Sequence, residues 1–102
     1  MRYHFEDCTL DTDRRELRRP DGPVSLEPQV FDLLEFLVRH RGRVVSREML
    51  AREVWKETSR ATPIDNVIDV HVARLRRKVD DPFTRKLVHT VRGVGFTVRE
   101  DE

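Results

Sequence analysis

Residues 64–99 constrain the fold more than any other part of this sequence. Apolar residues recur every three or four positions through 64–79 and predict one buried helical face: Ile64, Ile68, Val72, Leu75 and Val79. The runs 87–91 and 96–99 alternate like strands and flank Arg92-Gly93-Val94-Gly95, whose two glycines allow a tight turn with positive φ. The segment therefore predicts a helix followed at once by a β-hairpin.

A second stripe of the predicted helix mixes cations with small apolar groups: Val67, Val70, His71, Arg74 and Lys78. Such a stripe suits the DNA major groove, where cations meet phosphates or guanine edges and apolar groups meet thymine methyls. A solvated face would more often pair Glu with Lys or Arg, but the four residues after Ala73 include no acid. Arg92, which leads the glycine turn, can reach a narrow minor groove. Helix and hairpin therefore predict a winged helix that contacts two adjacent grooves.

The composition bounds the class of protein. The 102 residues suffice for one domain that buries about two-thirds of its surface on folding. Hydrophobic residues make up 37% and charged residues 38%. We expect a soluble, cytoplasmic protein, because no apolar run approaches the about 20 residues of a membrane span and no signal-peptide pattern is present. We also expect the domain to be monomeric. Cys8 is the single cysteine, which excludes an internal disulfide, and we expect it to be buried in a strand.

The net charge is only +1, but the charge is distributed unevenly. Residues 74–99 contain the acids Asp80 and Asp81 only. The same range contains these cations: Arg74, Arg76, Arg77, Lys78, Arg85, Lys86, Arg92 and Arg99. This asymmetry favours a nucleic-acid partner on the side of the last helix and the hairpin.

The rest of the chain predicts a sheet and two further helices. Four short antiparallel strands are expected near residues 3–5, 9–10, 16–18 and 24–26, with a turn at 20–23. A first helix runs from Pro28 to about Arg41, and a second follows the N-cap Ser46 to about Trp55. Residues 42–45 turn the chain, and 56–63 form a long loop of the kind that is often functional. The predicted fold class is α+β: a winged helix-turn-helix with an N-terminal four-stranded antiparallel sheet, three helices and a C-terminal hairpin wing.

This order of elements resembles the C-terminal effector domain of OmpR/PhoB-type response regulators over essentially the whole chain. The segments 26–34, 45–50 and 53–55 carry part of the likeness. Its strongest parts are Val70-His71-Val72-Ala73-Arg74-Leu75-Arg76-Arg77-Lys78 and Thr90-Val91-Arg92-Gly93-Val94-Gly95-Phe96. Residues 78–83 and the wing are most similar to metal-responsive members. The resemblance implies a bacterial two-component transcription regulator with no cofactor. It also implies a single domain over 1–102, with Met1 added and the receiver domain absent.

The resemblance also implies roles for individual residues. The implied base contacts are Asn66, Val67, Val70 and Arg74, although the Asn66 amide could equally bind a phosphate. The implied phosphate contacts are Trp55, His71, Arg76, Lys78, Thr90 and Gly93, and Arg92 enters the minor groove. Within the loop, Lys56, Glu57, Thr58, Ser59 and Arg60 are implied to touch RNA polymerase. Two copies are implied to bind DNA direct repeats head to tail, and a sensor kinase to act through the absent receiver domain.

Several alternatives stand beside this interpretation. Arg76 points away from Arg74 and could pair with Asp69 or Asp65 instead of a phosphate. Two positions depart from the family pattern: Glu27 replaces the common threonine N-cap before Pro28, and Ala73 replaces a frequent basic residue. A metal site is not expected, because the four histidines lie on separate elements without zinc-type spacing.

Other functions are less well supported by the sequence. A winged helix that only binds proteins, such as polymerase, has no reason to keep the mixed stripe together with the wing arginine. A non-specific architectural DNA binder would carry apolar wedges, for which Val94 is the one small candidate. No pair of acids lies near a nucleophile in a pocket-forming context, so an enzyme is not expected.

Overall fold

The computed structural model of the protein describes residues 1–5, 7–56, 64–80 and 87–99, with the backbone alone at 64 and 65. The strands are β1 (Arg2–Phe5), β2 (Cys8–Asp11), β3 (Glu16–Arg19), β4 (Gly22–Val24), β5 (Val45–Ser46), β6 (Val88–Val91) and β7 (Gly95–Val98). The helices are α1 (Pro28–Arg39), α2 (Arg47–Glu53) and α3 (Ile64–Val79). The α+β winged helix-turn-helix architecture is confirmed.

The N-terminal sheet is an antiparallel meander in the order β1-β2-β3-β4. Its inner face buries Phe5, Leu10 and Leu17, and Cys8 is buried as expected. The fourth strand was predicted at 24–26 but lies two residues earlier, since β4 begins at Gly22 directly after a short turn. Pro23 is tolerated there because β4 is an edge strand, where a missing N–H breaks no ladder on its outer side.

Both early helices end sooner than the sequence predicts. Beyond Arg39 the backbone hydrogen bonds span three residues instead of four, and α1 stops. The Arg41 N–H donates to Val38 O at 3.2 Å. In α2 the Trp55 N–H donates to Leu50 O at 3.2 Å, five residues back, which ends regular helix at Glu53. The predicted Ser46 N-cap is confirmed, because its Oγ accepts from the Met49 N–H at 3.0 Å.

A second sheet joins the middle of the chain to the hairpin, in the order β5-β7-β6. The strand β5 was not predicted from sequence, where 42–45 was expected to be a turn. Val45 pairs with Phe96, and the backbone of Val45 comes so close to Gly95 that a Cβ there would lie 1.9 Å from Val45 O. Only glycine therefore fits opposite β5. Gly93 has a different role, because its φ of +76 allows the tight turn of the hairpin.

The core lies between α3, α1 and the two sheets. Every described member of the predicted α3 face is buried: Ile68, Val72, Leu75 and Val79. The predicted apolar face of α1 is buried too: Phe31, Leu34, Leu37 and Val38. Among the described residues, no helix is both long and apolar enough to cross a membrane.

We predict that Gly95→Ala destabilises the domain by about 1–3 kcal/mol, because the added methyl overlaps the Val45 carbonyl and must push β5 from β7. Urea unfolding followed by circular dichroism measures this change. The control is Val94→Ala, which truncates a side chain that is 53% exposed and should change stability by less than about 0.5 kcal/mol. Equal stability of Gly95→Ala and the parent would contradict the close approach.

Candidate nucleic-acid interface

The outer side of α3 carries the predicted mixed stripe. Asn66, Val70, Arg74, Arg77 and Lys78 are exposed, and Val67 and His71 are half-buried. Val70 is 47% exposed, which leaves an apolar side chain available for contact with a partner. The helical repeat that buries one face of α3 turns this stripe outward, so the exposure predicted from sequence is confirmed.

Asp69, an exposed acid of α3, is neutralised by an arginine of the neighbouring helix α2. Asp69 Oδ1 accepts from Arg47 at 3.0 Å from Nε and 2.9 Å from an Nη atom. The Arg47 guanidinium also lies 4.8 Å from the centre of the Phe96 ring on β7. Arg47 therefore ties α2, α3 and β7 together and removes a negative charge from a surface that otherwise presents cations. Asp69 is accordingly engaged by Arg47 and not by Arg76, whereas no side chain is described for Asp65, the other acid named from the sequence.

Arg74 is paired within the protein. Its Nη1 lies 3.3 Å from Oε1 of Glu27, at the start of α1. Glu27 makes no side-chain capping bond to α1, so its carboxylate is directed to α3 instead. The two side chains remain 49% and 63% exposed, and such a surface pair breaks easily. Because 47 positions separate the two residues, sequence periodicity could not reveal this contact.

Trp55 and His71 meet where α2 ends beside α3. Their rings lie edge to face, with centroids 5.4 Å apart. His71 Nδ1 lies 2.8 Å from Val67 O, and since a carbonyl only accepts, Nδ1 carries the hydrogen. The Nε2 atom is then the one ring nitrogen left for an external partner. The structure brings together the two residues that the sequence placed on different helices.

Arg76 faces the hairpin and not the outer stripe. Its Nη2 donates to Thr90 Oγ1 at 2.5 Å and its Nε donates to Val88 O at 3.4 Å. Its acidic neighbour is Asp80, with 4.0 Å between Arg76 Nε and Asp80 Oδ2. Arg76 and Thr90, both predicted phosphate contacts, are therefore adjacent. The contact between Asp80 and Arg76 was not predicted from the sequence, where Asp80 was only the residue directly after the helix.

The wing tip is a three-residue turn, Arg92-Gly93-Val94, closed by a bond from the Val94 N–H to Val91 O at 2.9 Å. All three residues are exposed. Within the described part of the chain, no side-chain hydrogen bond or ion pair engages Arg77, Lys78 or Arg92. Arg77, Lys78 and Arg92 are thus available for an anionic partner.

Part of the predicted polymerase loop lies outside the described residues. Lys56 is described, exposed and at φ +56, but Glu57, Thr58, Ser59 and Arg60 fall in the range that the structure does not describe. In the described ranges, no group of three His, Cys, Asp or Glu side chains is arranged to hold a metal ion.

Comparison with known proteins identifies the family of this chain. Residues 21–98 match the model of a family described as "Transcriptional regulatory protein, C terminal". The chain belongs to this family of OmpR/PhoB-type DNA-binding domains. It is accordingly a transcription-regulator domain and not an enzyme.

The relatives are response regulators longer than this chain. It is 41% identical over 96 residues to MprA of Mycolicibacterium vanbaalenii, covering 94% of this chain and 41% of that protein. It is 39% identical over 94 residues to CusR of Escherichia coli K12, covering 92% and 40%. The chain thus spans about two fifths of the length of these relatives. Membership of the heavy-metal-responsive subgroup stays a prediction.

Solved structures confirm the winged helix-turn-helix fold. The RstA DNA-binding domain of Klebsiella pneumoniae, solved in complex with the RstA box, has a TM-score of 0.83 and 27% identity, covering 98% of each chain. The DNA-binding domain of CpxR from E. coli has a TM-score of 0.82 and 34% identity, covering 96% of this chain and 95% of that one.

Proposed function

We propose that this domain binds double-stranded DNA sequence-specifically, with α3 in the major groove and the wing of residues 87–99 in the adjacent minor groove. The observation that carries the proposal is the outward stripe of α3, which presents exposed Arg74 and Lys78 beside exposed Val70. Cations bind phosphates or guanine edges, and valines contact thymine methyls. The similarity to the RstA domain solved with its DNA box supports the same use of the fold.

Base recognition falls to the centre of the stripe. Arg74 can present two N–H groups to the O6 and N7 of guanine, the commonest specific contact in the major groove. Exposed Val70 and half-buried Val67 lie on the same stripe and would contact thymine methyls. Asn66, at the exposed start of the helix, is proposed to contact a base, although its amide could serve a phosphate equally.

Phosphate contacts surround this centre and supply most of the affinity. The proposed contacts are Trp55, His71, Arg76, Lys78, Thr90 and the Gly93 backbone. His71 Nδ1 is engaged by Val67 O, so only Nε2 can reach a phosphate, and it can donate a hydrogen only when the ring is protonated. At the wing, exposed Arg92 is proposed to enter the minor groove, where the negative potential is strongest.

The arrangement of the whole regulator is also proposed from the family. Two copies would bind direct repeats head to tail, and phosphorylation of a receiver domain by a sensor kinase would drive this pairing. The segment Lys56–Arg60 would contact RNA polymerase. The family membership supports these proposals, and the described surface is compatible with them because Lys56 is exposed beside the DNA-facing Trp55.

The first test is selection of bound duplexes from a randomised DNA pool at about 150 mM salt, where non-specific binding is weak. Enrichment of a short motif repeated in one orientation, about one helical turn apart, is the expected result. Absence of enrichment would contradict sequence-specific binding and favour a protein partner or architectural binding.

We predict that Arg74→Ala weakens binding to the selected motif by about 1–3 kcal/mol and flattens the preference at one position, because the guanine contact is lost. Fluorescence anisotropy with single-base variants of the motif measures both effects. Arg39→Ala is a charge-matched control on α1, where Arg39 pairs with Glu35, and should leave the preference unchanged. Unaltered discrimination by Arg74→Ala would contradict the base contact.

We predict that Arg92→Ala weakens binding to all duplexes and lowers the slope of log Kd against log salt by about one unit, because one cation no longer displaces counterions. A salt titration between about 50 and 200 mM measures the slope. The variant Val94→Ala changes the same turn without changing its charge and should keep the parent slope. A slope equal to that of the parent in Arg92→Ala would exclude the wing contact.

We predict that Glu27→Gln strengthens binding to the selected motif by about two- to fivefold, because the amide competes less for Arg74 and exposed ion pairs have about this strength. The gain should disappear in an Arg74→Ala background. An equal gain in both backgrounds would show instead that Glu27 acts by general repulsion of DNA. Glu53→Gln, which removes another exposed acid that pairs with Arg52 and not with Arg74, is the matched control.

A further inference from the structure

Asp80 is a buried carboxylate that is not itself one of the proposed DNA contacts. The residue is 2% exposed and follows the last residue of α3 directly. Its Oδ1 accepts from the Leu87 N–H at 2.8 Å, and both its oxygens lie 3.3 Å from the Val88 N. A buried carboxylate is stable only when its oxygens are hydrogen-bonded or paired with a cation. Here the donors come from the first residues of the hairpin.

Arg76 completes the link between α3 and the hairpin. It lies one helical turn before Asp80, with its Nε 4.0 Å from Asp80 Oδ2. The same guanidinium donates to Val88 O and to Thr90 Oγ1 on β6. We call Asp80, Arg76 and Thr90 the helix–wing brace. It joins two elements that are separated along the chain by residues 81–86.

The brace fixes where the wing tip lies relative to the reading helix. Thr90 is two residues before Arg92, and Arg76 is two residues after Arg74. The side chain of Asp80 is 1% exposed, so it cannot itself touch DNA. Any effect of this carboxylate on DNA binding must therefore act through the groups that it holds, which are Arg76 and the first residues of the hairpin.

From this geometry we propose that Asp80 is a positioning residue that holds the wing at the angle needed to enter the minor groove while α3 occupies the major groove. Two joined binding elements reinforce each other only when their spacing fits both sites, and a rigid link avoids the loss of freedom on binding. This inference rests on the proposed wing contact of Arg92. In this proposal the negative charge of Asp80 holds the Arg76 guanidinium in place, since charge-assisted hydrogen bonds are roughly twice as strong as neutral ones.

The test is a double-mutant cycle between Asp80→Asn and Arg92→Ala, measured by anisotropy on a labelled duplex carrying the motif enriched from the pool. Asparagine keeps one oxygen for the hairpin N–H groups but loses the charge that holds Arg76. We expect Asp80→Asn to weaken binding about three- to tenfold in the parent, in line with the freedom of one or two ordered side chains. In the Arg92→Ala background we expect Asp80→Asn to weaken binding less than twofold, because the wing then lacks the minor-groove contact that depends on its position.

The outcomes separate the inference from the function on which it rests. An equal loss from Asp80→Asn in both backgrounds, or no loss in either, would overturn the positioning role while leaving the wing contact intact. If Arg92→Ala did not weaken binding, the wing contact itself would fall, and the positioning role with it. A merely structural role of Asp80 would lower the unfolding midpoint without coupling to Arg92.

Two further variants support the double-mutant cycle, one as a control and the other as a replacement for Asp80→Asn. Asp13→Asn removes an exposed acid that pairs with the chain N-terminus and should leave binding unchanged in both backgrounds. Arg76→Lys keeps the positive charge beside Asp80 but cannot bridge to Val88 O and Thr90 together. If Asp80→Asn fails to fold, Arg76→Lys takes its place, and the same loss of effect in the Arg92→Ala background is expected. Additive effects of Arg76→Lys and Arg92→Ala would then overturn the proposal.

Discussion

The burial of one face of α3 is the constraint on which the rest of the structure depends. Ile68, Val72 and Leu75 are almost fully excluded from solvent, and burying such a side chain contributes about 1.5–3 kcal/mol. Because this face must meet the core, the rotation of the helix about its axis is fixed. The opposite stripe, with Val70 and Arg74, then has to face outward. Stability and recognition are set by the same helical repeat.

Acidic side chains decide which cations on this surface remain available. Asp69 is neutralised by Arg47, Glu27 holds Arg74, and Asp80 lies beside Arg76. These three pairs differ in burial and therefore in role. The exposed pair of Glu27 and Arg74 breaks easily, whereas the buried carboxylate of Asp80 stays hydrogen-bonded to the hairpin.

The sequence predicted the secondary structure best where a long repeat was present. The helix 64–79 has the predicted bounds, because five apolar residues at helical spacing leave little choice. The strand β5 was missed, because a two-residue strand has no repeat and exists only through its pairing with β7. Helix ends were also misplaced, since the last turns of α1 and α2 depend on competing backbone bonds that side-chain patterns do not encode.

The sequence by itself determined the order of elements other than β5, the buried and exposed faces of α3, the turn at Gly93 and the excess of cations toward the C-terminus. Each of these follows from local spacing, backbone preference or composition. Only the tertiary structure decided that Arg74 meets Glu27, that Trp55 lies against His71, and that Asp80 joins the helix to the wing. These contacts join residues on different elements, and folding alone fixes the distance between such elements.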